Sequence, residues 1–138
     1  MAKKKQKSLP KLKKELWTWF ALYIKHKYSL DGENCRCFTC GKHLKIGHQG
    51  CHAGHYLPKG GYSGLYFDEM NVRPQCYFCN RTLQGDQLKF REHLVRECGA
   101  DAIHELEARR REPSTMKRAD YMDKIEYYKD KVKKMSGG

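Results

Sequence analysis

Two Cys-x-x-Cys pairs, Cys37/Cys40 and Cys76/Cys79, constrain this chain more than any other feature of its sequence. A structural zinc ion takes about four soft ligands in a tetrahedron, and a Cys-x-x-Cys turn delivers two thiolates to one ion with little backbone distortion. Two such turns complete a four-thiolate shell, so the sequence predicts a structural Zn²⁺ on Cys37, Cys40, Cys76 and Cys79. An ion closed by four thiolates has no open position for a substrate, and its role is to hold residues 37–79 together. The second pair begins 36 positions after the first ends, so the intervening segment must itself be folded. A redox dithiol is the competing use of the motif, but two pairs without a βαβ surround weigh against it. Cys35, Cys51 and Cys98 remain outside the cluster.

A chain of 138 residues makes one domain the expectation. Lys and Arg number 28 against 16 acidic residues, a formal charge of +12, which favours a polyanionic partner such as DNA. No apolar run approaches the roughly 18 residues of a membrane span. The basic start, Met1-Ala-Lys-Lys-Lys-Gln-Lys, leads into an amphipathic stretch and not an apolar export signal, so the expected location is the cytoplasm of the cell.

Residues 1–7 form a basic arm without apolar periodicity, expected to be disordered until it meets a partner, and residues 8–138 form the single domain. Ser8 can cap a helix with Pro10 in its first turn, and Leu12, Leu16, Trp19, Phe20, Tyr23 and Ile24 recur at helical spacing within a flank at 8–30. Asp31-Gly-Glu-Asn ends it, and Cys35 to Gly61 is rich in turn signals. Leu65-Tyr-Phe reads as a second short strand, and residues 80–97 as a helix starting directly after the second cysteine pair. A further helix spans 100–112, ended by Pro113, and the last is capped by Ser114 or Thr115. In that last helix Tyr121, Ile125, Tyr128, Val132 and Met135 form one stripe, expected to pack on the first helix or, alternatively, on a second copy of the chain.

Between the cysteine pairs lie His52-Ala-Gly-His55-Tyr and Asn71, with Asn80 directly after Cys79. The order His, Asn, Asn runs at steps of 16 and 9 positions. This pattern resembles the HNH (His-Me finger) nucleases, whose ββα-metal unit places His on a strand, Asn in a loop, and His or Asn on a helix. More closely, the chain resembles the phage NinG recombination-nuclease family. The residues that carry the likeness are Lys7 to Trp17, Cys37-Phe-Thr-Cys40-Gly-Lys, Gly54-His55-Tyr56, Gln75-Cys-Tyr-Phe-Cys-Asn80, Gly85-Asp86 and Arg118-Ala-Asp-Tyr121. They run nearly end to end.

The resemblance implies an α+β fold: a ββα-metal core at about 35–97, closed by the four-cysteine zinc site and flanked by helices at 8–30 and 100–135. It also implies a metal-dependent endonuclease that cuts branched recombination intermediates in the bacterial host of a phage. His55 then matches the general base, because a neutral imidazole is available near pH 7. Asn71 matches the middle residue, which holds the ββ loop and orients the histidine, and Asn80 matches the metal ligand at the start of the helix. The departure is Gly54, where many HNH enzymes carry an Asp or His ligand. Residues two apart share a strand face, so His52 is a substitute ligand, with Gln84 one helical turn beyond Asn80 as another and His48 a weaker one. Asp68 and Glu69 could supply a carboxylate if they turned inward. Few carboxylates point to loosely held Mg²⁺ or Mn²⁺ completed by water and DNA phosphate.

For DNA contacts the candidates are Lys3, Lys4, Lys5 and Lys7 of the arm, Lys59, Arg73, Arg81 and Arg109-Arg-Arg; Tyr62 is a stacking candidate, and so is Tyr56, for which core packing is the favoured role. Paired incisions on a branched substrate would suit a homodimer. The alternative function is a non-catalytic zinc-finger protein that binds DNA, for which Gly54 is the best argument.

Overall fold

The computed structural model describes residues 6–57 and 63–136, so Lys3, Lys4, Lys5, Lys59 and Tyr62 lie outside the described residues. The chain is a mixed α+β fold: α1 (Leu9–Lys27), β1 (Asn34–Arg36), β2 (His43–Lys45), β3 (Cys51–His55), β4 (Val72–Cys76), α2 (Gln87–Cys98), α3 (Ala100–Ala108) and α4 (Arg118–Ser136). β1 pairs antiparallel with β2, and β3 with β4 in the register Cys51↔Cys76 to His55↔Val72.

Ser8 caps α1 by accepting the Lys11 amide at 3.3 Å, with Pro10 in the first turn. Leu12, Leu16, Phe20 and Ile24 are buried against Tyr121, Ile125 and Tyr128 of α4. The two helices run the same way. Arg118 donates to the Lys7 carbonyl at one end, and Phe20 and Tyr23 meet Tyr128 farther along. The stripe of α4 is therefore intrachain core and not a free dimer face, apart from Met135, which is exposed. Ser114 caps nothing in α4; its hydroxyl accepts the Met116 amide, and Asp120 accepts that of Lys117. A second core gathers Tyr56, Leu57 and Leu65 with Phe90 and Leu94 of α2 and Ile103 and Leu106 of α3. Tyr56 donates its hydroxyl to Glu107, which also accepts Arg91 at 2.9 Å; burial and this bond raise the Tyr56 pKa to about 12.

Two expectations are corrected. Leu65–Phe67 lies in turns, and the partner of β3 is Val72-Arg-Pro-Gln-Cys76. Every residue of β4 is buried, so it has no polar alternation, and its Arg, Pro and Gln disguise it as a loop. The helix also does not start at 80. Phe78–Thr82 is one π-helical turn, after which Gln84 and Asp86 take positive φ (52° and 48°) around Gly85, and α2 begins only at Gln87. Left-handed residues end one helical register before the next begins.

Candidate functional site

The four cysteine sulfurs of Cys37, Cys40, Cys76 and Cys79 all lie within 4.8 Å of one another. A tetrahedral zinc tetrathiolate with bonds of roughly 2.3 Å spaces its sulfurs about 3.8 Å apart. Cys40 and Cys76 stand at 3.8 Å. These four side chains are positioned to hold a metal ion, and their chemistry and spacing are compatible with structural zinc. Burial pushes the Cys37 thiol up, but the Thr39 hydroxyl and the amides of Cys76, Cys40 and Thr39 outweigh it and bring it to about 6, favouring the thiolate a metal needs. Cys35 and Cys51, 3.7 Å apart at sulfur, are buried beside the cluster. Cys98 is half-buried near the Arg73 guanidinium.

Beside the cluster, along β3, lies an open cleft of about 390 Å³ lined by Cys51, His52, Ala53 and His55. His55 ends β3 and is almost fully buried at its margin. Its Nε2 is 2.9 Å from the Tyr66 carbonyl oxygen. A carbonyl only accepts, so Nε2 carries a proton, and in the neutral form of the ring the lone pair is on Nδ1. Trp17 of α1 stacks on the imidazole at 5.0 Å with planes 16° apart, and the Tyr66 ring leans against it at 4.6 Å. Asn71 lies just ahead of β4, fully buried. Its Oδ1 accepts the Leu57 amide at 2.8 Å, its Nδ2 donates to the Leu65 carbonyl, and its own carbonyl accepts the Tyr56 amide. It clamps the chain leaving β3 to the chain entering β4, on either side of the segment that carries Tyr66.

His52 and Asn80 meet across the cleft: Asn80 Nδ2 is 2.9 Å from His52 Nδ1, and His52 Nε2 is 2.8 Å from the Gln49 carbonyl. The carbonyl fixes the proton on Nε2, so Nδ1 accepts from the amide. Lys25 and Arg81 line the same cleft, with Arg81 exposed. Gly54 has a steric reason. A Cβ there would fall 1.9 Å from Gln75 Oε1 and 3.0 Å from Asn80 Oδ1, so the volume a ligand at 54 would fill belongs to those two side chains. Gln75 is fully buried and donates to the Thr39 hydroxyl at 3.1 Å and to the Gly85 carbonyl at 2.9 Å. Through Thr39, which touches Cys37 Sγ, the back of the cleft is tied to the cysteine cluster.

Other expected site residues are elsewhere. Gln84 is exposed on the left-handed turn and does not line the cleft, and His48 sits on an exposed turn. Asp68 caps the turn at Met70 and accepts Arg109, while Glu69 accepts Lys27 and Tyr128; neither carboxylate faces the cleft. Arg73 is buried, bonded to the Glu69 and Val72 carbonyls and to Glu97, with the Tyr28 and Phe38 rings against its guanidinium. It is a core cation and not a DNA contact. Tyr56 takes the core role favoured for it, buried with its ring packed on Phe90. A resident Mg²⁺ or Mn²⁺ needs a shell of hard, mostly anionic oxygens. Among the described residues the donors beside this cleft are the His52 and His55 imidazoles and the Asn80 amide, already bonded to His52, and they do not make one.

Sequence reasoning missed Trp17, Tyr66, Lys13 and Lys25. Three of them belong to one row of α1, Lys13-Trp17-Ala21-Lys25, spaced by four. Lys13 lies over the Tyr66 ring, Trp17 on His55, and Ala21 and Lys25 on the cleft wall. The spacing was legible, but lysines at the two ends of such a row beside an apolar face equally describe a solvated flank.

The model of the family described as "Bacteriophage Lambda NinG protein" matches residues 1–137. The protein named "Protein ninG" of Escherichia phage 933W is 32% identical over 72 residues, 52% of this chain and 34% of its own length. Its namesake from Enterobacteria phage H19B is 36% identical over 56 residues, 41% of this chain and 28% of its own, and that of Escherichia phage lambda is 31% identical over 72 residues, 52% and 34%. The matched stretch is thus about a third of the first of these relatives. No solved structure matches. With a family model covering nearly its full length, the chain belongs to the NinG family of bacteriophage proteins.

Proposed function

We propose that this chain is a DNA phosphodiesterase of the HNH type, acting on branched recombination intermediates, with His55 as general base. The observation that carries the reading is the fixing of one imidazole orientation, by a carbonyl on Nε2 and rings on its faces, at the edge of a cleft walled by Lys25 and Arg81. The order of β3, β4, turn and α2, with His55, Asn71 and Asn80 on strand, turn and turn, supports a ββα-metal unit. In the reaction a water attacks phosphorus and gives its proton to His55 Nδ1, while the P–O bond to the leaving sugar oxygen breaks. Lys25 and Arg81 hold the phosphate by its non-bridging oxygens. A divalent ion, where it takes part, enters with the phosphate and would neutralise the leaving oxygen. Branched DNA as substrate rests on the likeness to recombination nucleases in the segments around Trp17, His55 and Asn80, and cleavage of two strands would employ two copies.

The test is nicking of supercoiled plasmid and of a synthetic four-way junction with Mg²⁺ or Mn²⁺, by the parent, His55→Ala and Asn80→Ala. Cleavage by the parent that both variants lose, with zinc content and DNA binding intact, is expected. A second reading, a zinc-stapled DNA-binding module without catalysis, draws on the carboxylate-free cleft and the closed His52–Asn80 pair. A parent that binds DNA but cuts neither substrate with either ion would put that reading first.

A further inference from the structure

The second cysteine knuckle carries a surface that the catalytic cleft does not use. Tyr77 and Phe78 fill the two positions between Cys76 and Cys79 and are 58% and 56% exposed. Leu83, whose amide donates to the Phe78 carbonyl at 2.9 Å, is 42% exposed on the same turn. The exposure is imposed by the cluster: Cys76 and Cys79 turn inward, the Cys79 amide donates to Cys76 Sγ, and the two residues between them are left facing out. Two adjacent aromatic rings held in water on a pinned turn form a patch that monomers ordinarily avoid.

What would cover it is read from its surroundings. Tyr77 meets the His52 ring edge to face at 5.6 Å, so the patch borders the cleft. The stretch from Tyr77 to Gly85 carries no carboxylate, in a chain of net charge +12, and Arg81 is exposed on the same turn as Phe78. An apolar face beside cationic charge with no acid in the turn matches a polyanion that also offers aromatic surface. Duplex DNA hides its base faces, whereas unpaired bases expose them. We infer that Tyr77 and Phe78 form a stacking platform for unpaired nucleobases at a branch or single-stranded end, next to the cleft. The inference rests on the nucleic-acid half of the proposed function and not on catalysis.

The experiment compares the full chain with Tyr77→Ala/Phe78→Ala and Tyr77→Leu/Phe78→Leu, without added divalent ion, on a fork with 2-aminopurine at the branch and on a paired duplex of the same length. Zinc content and far-ultraviolet circular dichroism establish that each variant is folded. The parent should change 2-aminopurine fluorescence on binding, and the alanine pair should lose that change and about tenfold or more in affinity for the fork, with duplex affinity altered by no more than about twofold. The leucine pair, apolar but without rings, should resemble the alanine pair. Equal losses on fork and duplex, full retention by the leucine pair, or no DNA binding by the parent would overturn the inference. So would unchanged DNA affinity with self-association lost in sedimentation velocity, which would make the patch a contact between copies. A parent that binds the fork and passes these tests but cuts nothing upholds the platform while the catalytic reading falls.

Discussion

The cysteine cluster and the His55 cleft share β3 and β4 but are built in opposite ways. The cluster takes both members of each ligand pair from one tight turn and is complete inside residues 37–79. The cleft takes His55 and His52 from β3, Asn80 and Arg81 from the π-helical turn, Tyr66 from the intervening segment, and Trp17 and Lys25 from a helix far earlier in the chain. A local site survives wherever its turns fold, while a distributed one exists only when the whole chain packs. The two are coupled through Gln75 and Thr39, so the cluster sets the back of the cleft as well as its own loop.

The strongest way to break the comparison is at the cluster. Cys76→Ser, or exhaustive chelation, should abolish metal binding and unfold the β3–β4 region, a loss of several kcal/mol or more; metal content and thermal unfolding measure it. A variant that kept the cleft's NMR shifts without metal would refute the coupling. At the cleft, His55→Ala should lower phosphodiesterase turnover by about 10²–10⁴-fold under the nuclease reading, while metal content stays at the parent's value. Gly54→Ala probes the junction between the two. The clash with Gln75 should destabilise the fold by about 1–3 kcal/mol in denaturant unfolding, and Gly54→Asp should not create a better metal site.

Smaller effects follow away from the shared strands. Trp17→Leu removes the stack on His55 and should lose about 0.5–1.5 kcal/mol beyond its change in buried area, with a shift in the His55 ring signals that a purely distant change would not produce. The least is expected at Glu107, whose carboxyl the Arg91 bond, against some burial, and the Tyr56 hydroxyl hold below its ordinary range. A depressed carboxylate stabilises the fold above its unfolded pKa and loses that contribution as pH falls through the folded value. The Tm difference between the parent and Glu107→Gln should therefore be constant at neutral pH and shrink below about pH 4.5. With the pair partly exposed, that difference should be the smallest of the set.

How much was legible follows from the same contrast. The cluster was readable because ligand spacing within a turn is a local property, and so was the α1–α4 packing, whose periodicity names its own face. His55, Asn71 and Asn80 were legible as a pattern in order, and the structure gathers His55 and Asn80 at one cleft and makes Asn71 the clamp behind it. Gln84, Asp68, Glu69 and Arg73 were misplaced because each depended on a register or a direction: a helix broken by positive φ, two carboxylates taken by other partners, and an arginine on a strand buried on both faces.

The sequence by itself determined the four-cysteine cluster, the two long flanking helices, the positive charge and the family likeness, since each depends on residue type and near spacing alone. Only the tertiary structure decided that Trp17 stacks on His55, that Gln75 and Asn80 fill the space beside Gly54, and that two aromatics of the second knuckle face solvent. Those outcomes arise from close packing between segments distant in the chain, where the volume open to one side chain is set by neighbours that its local sequence does not name.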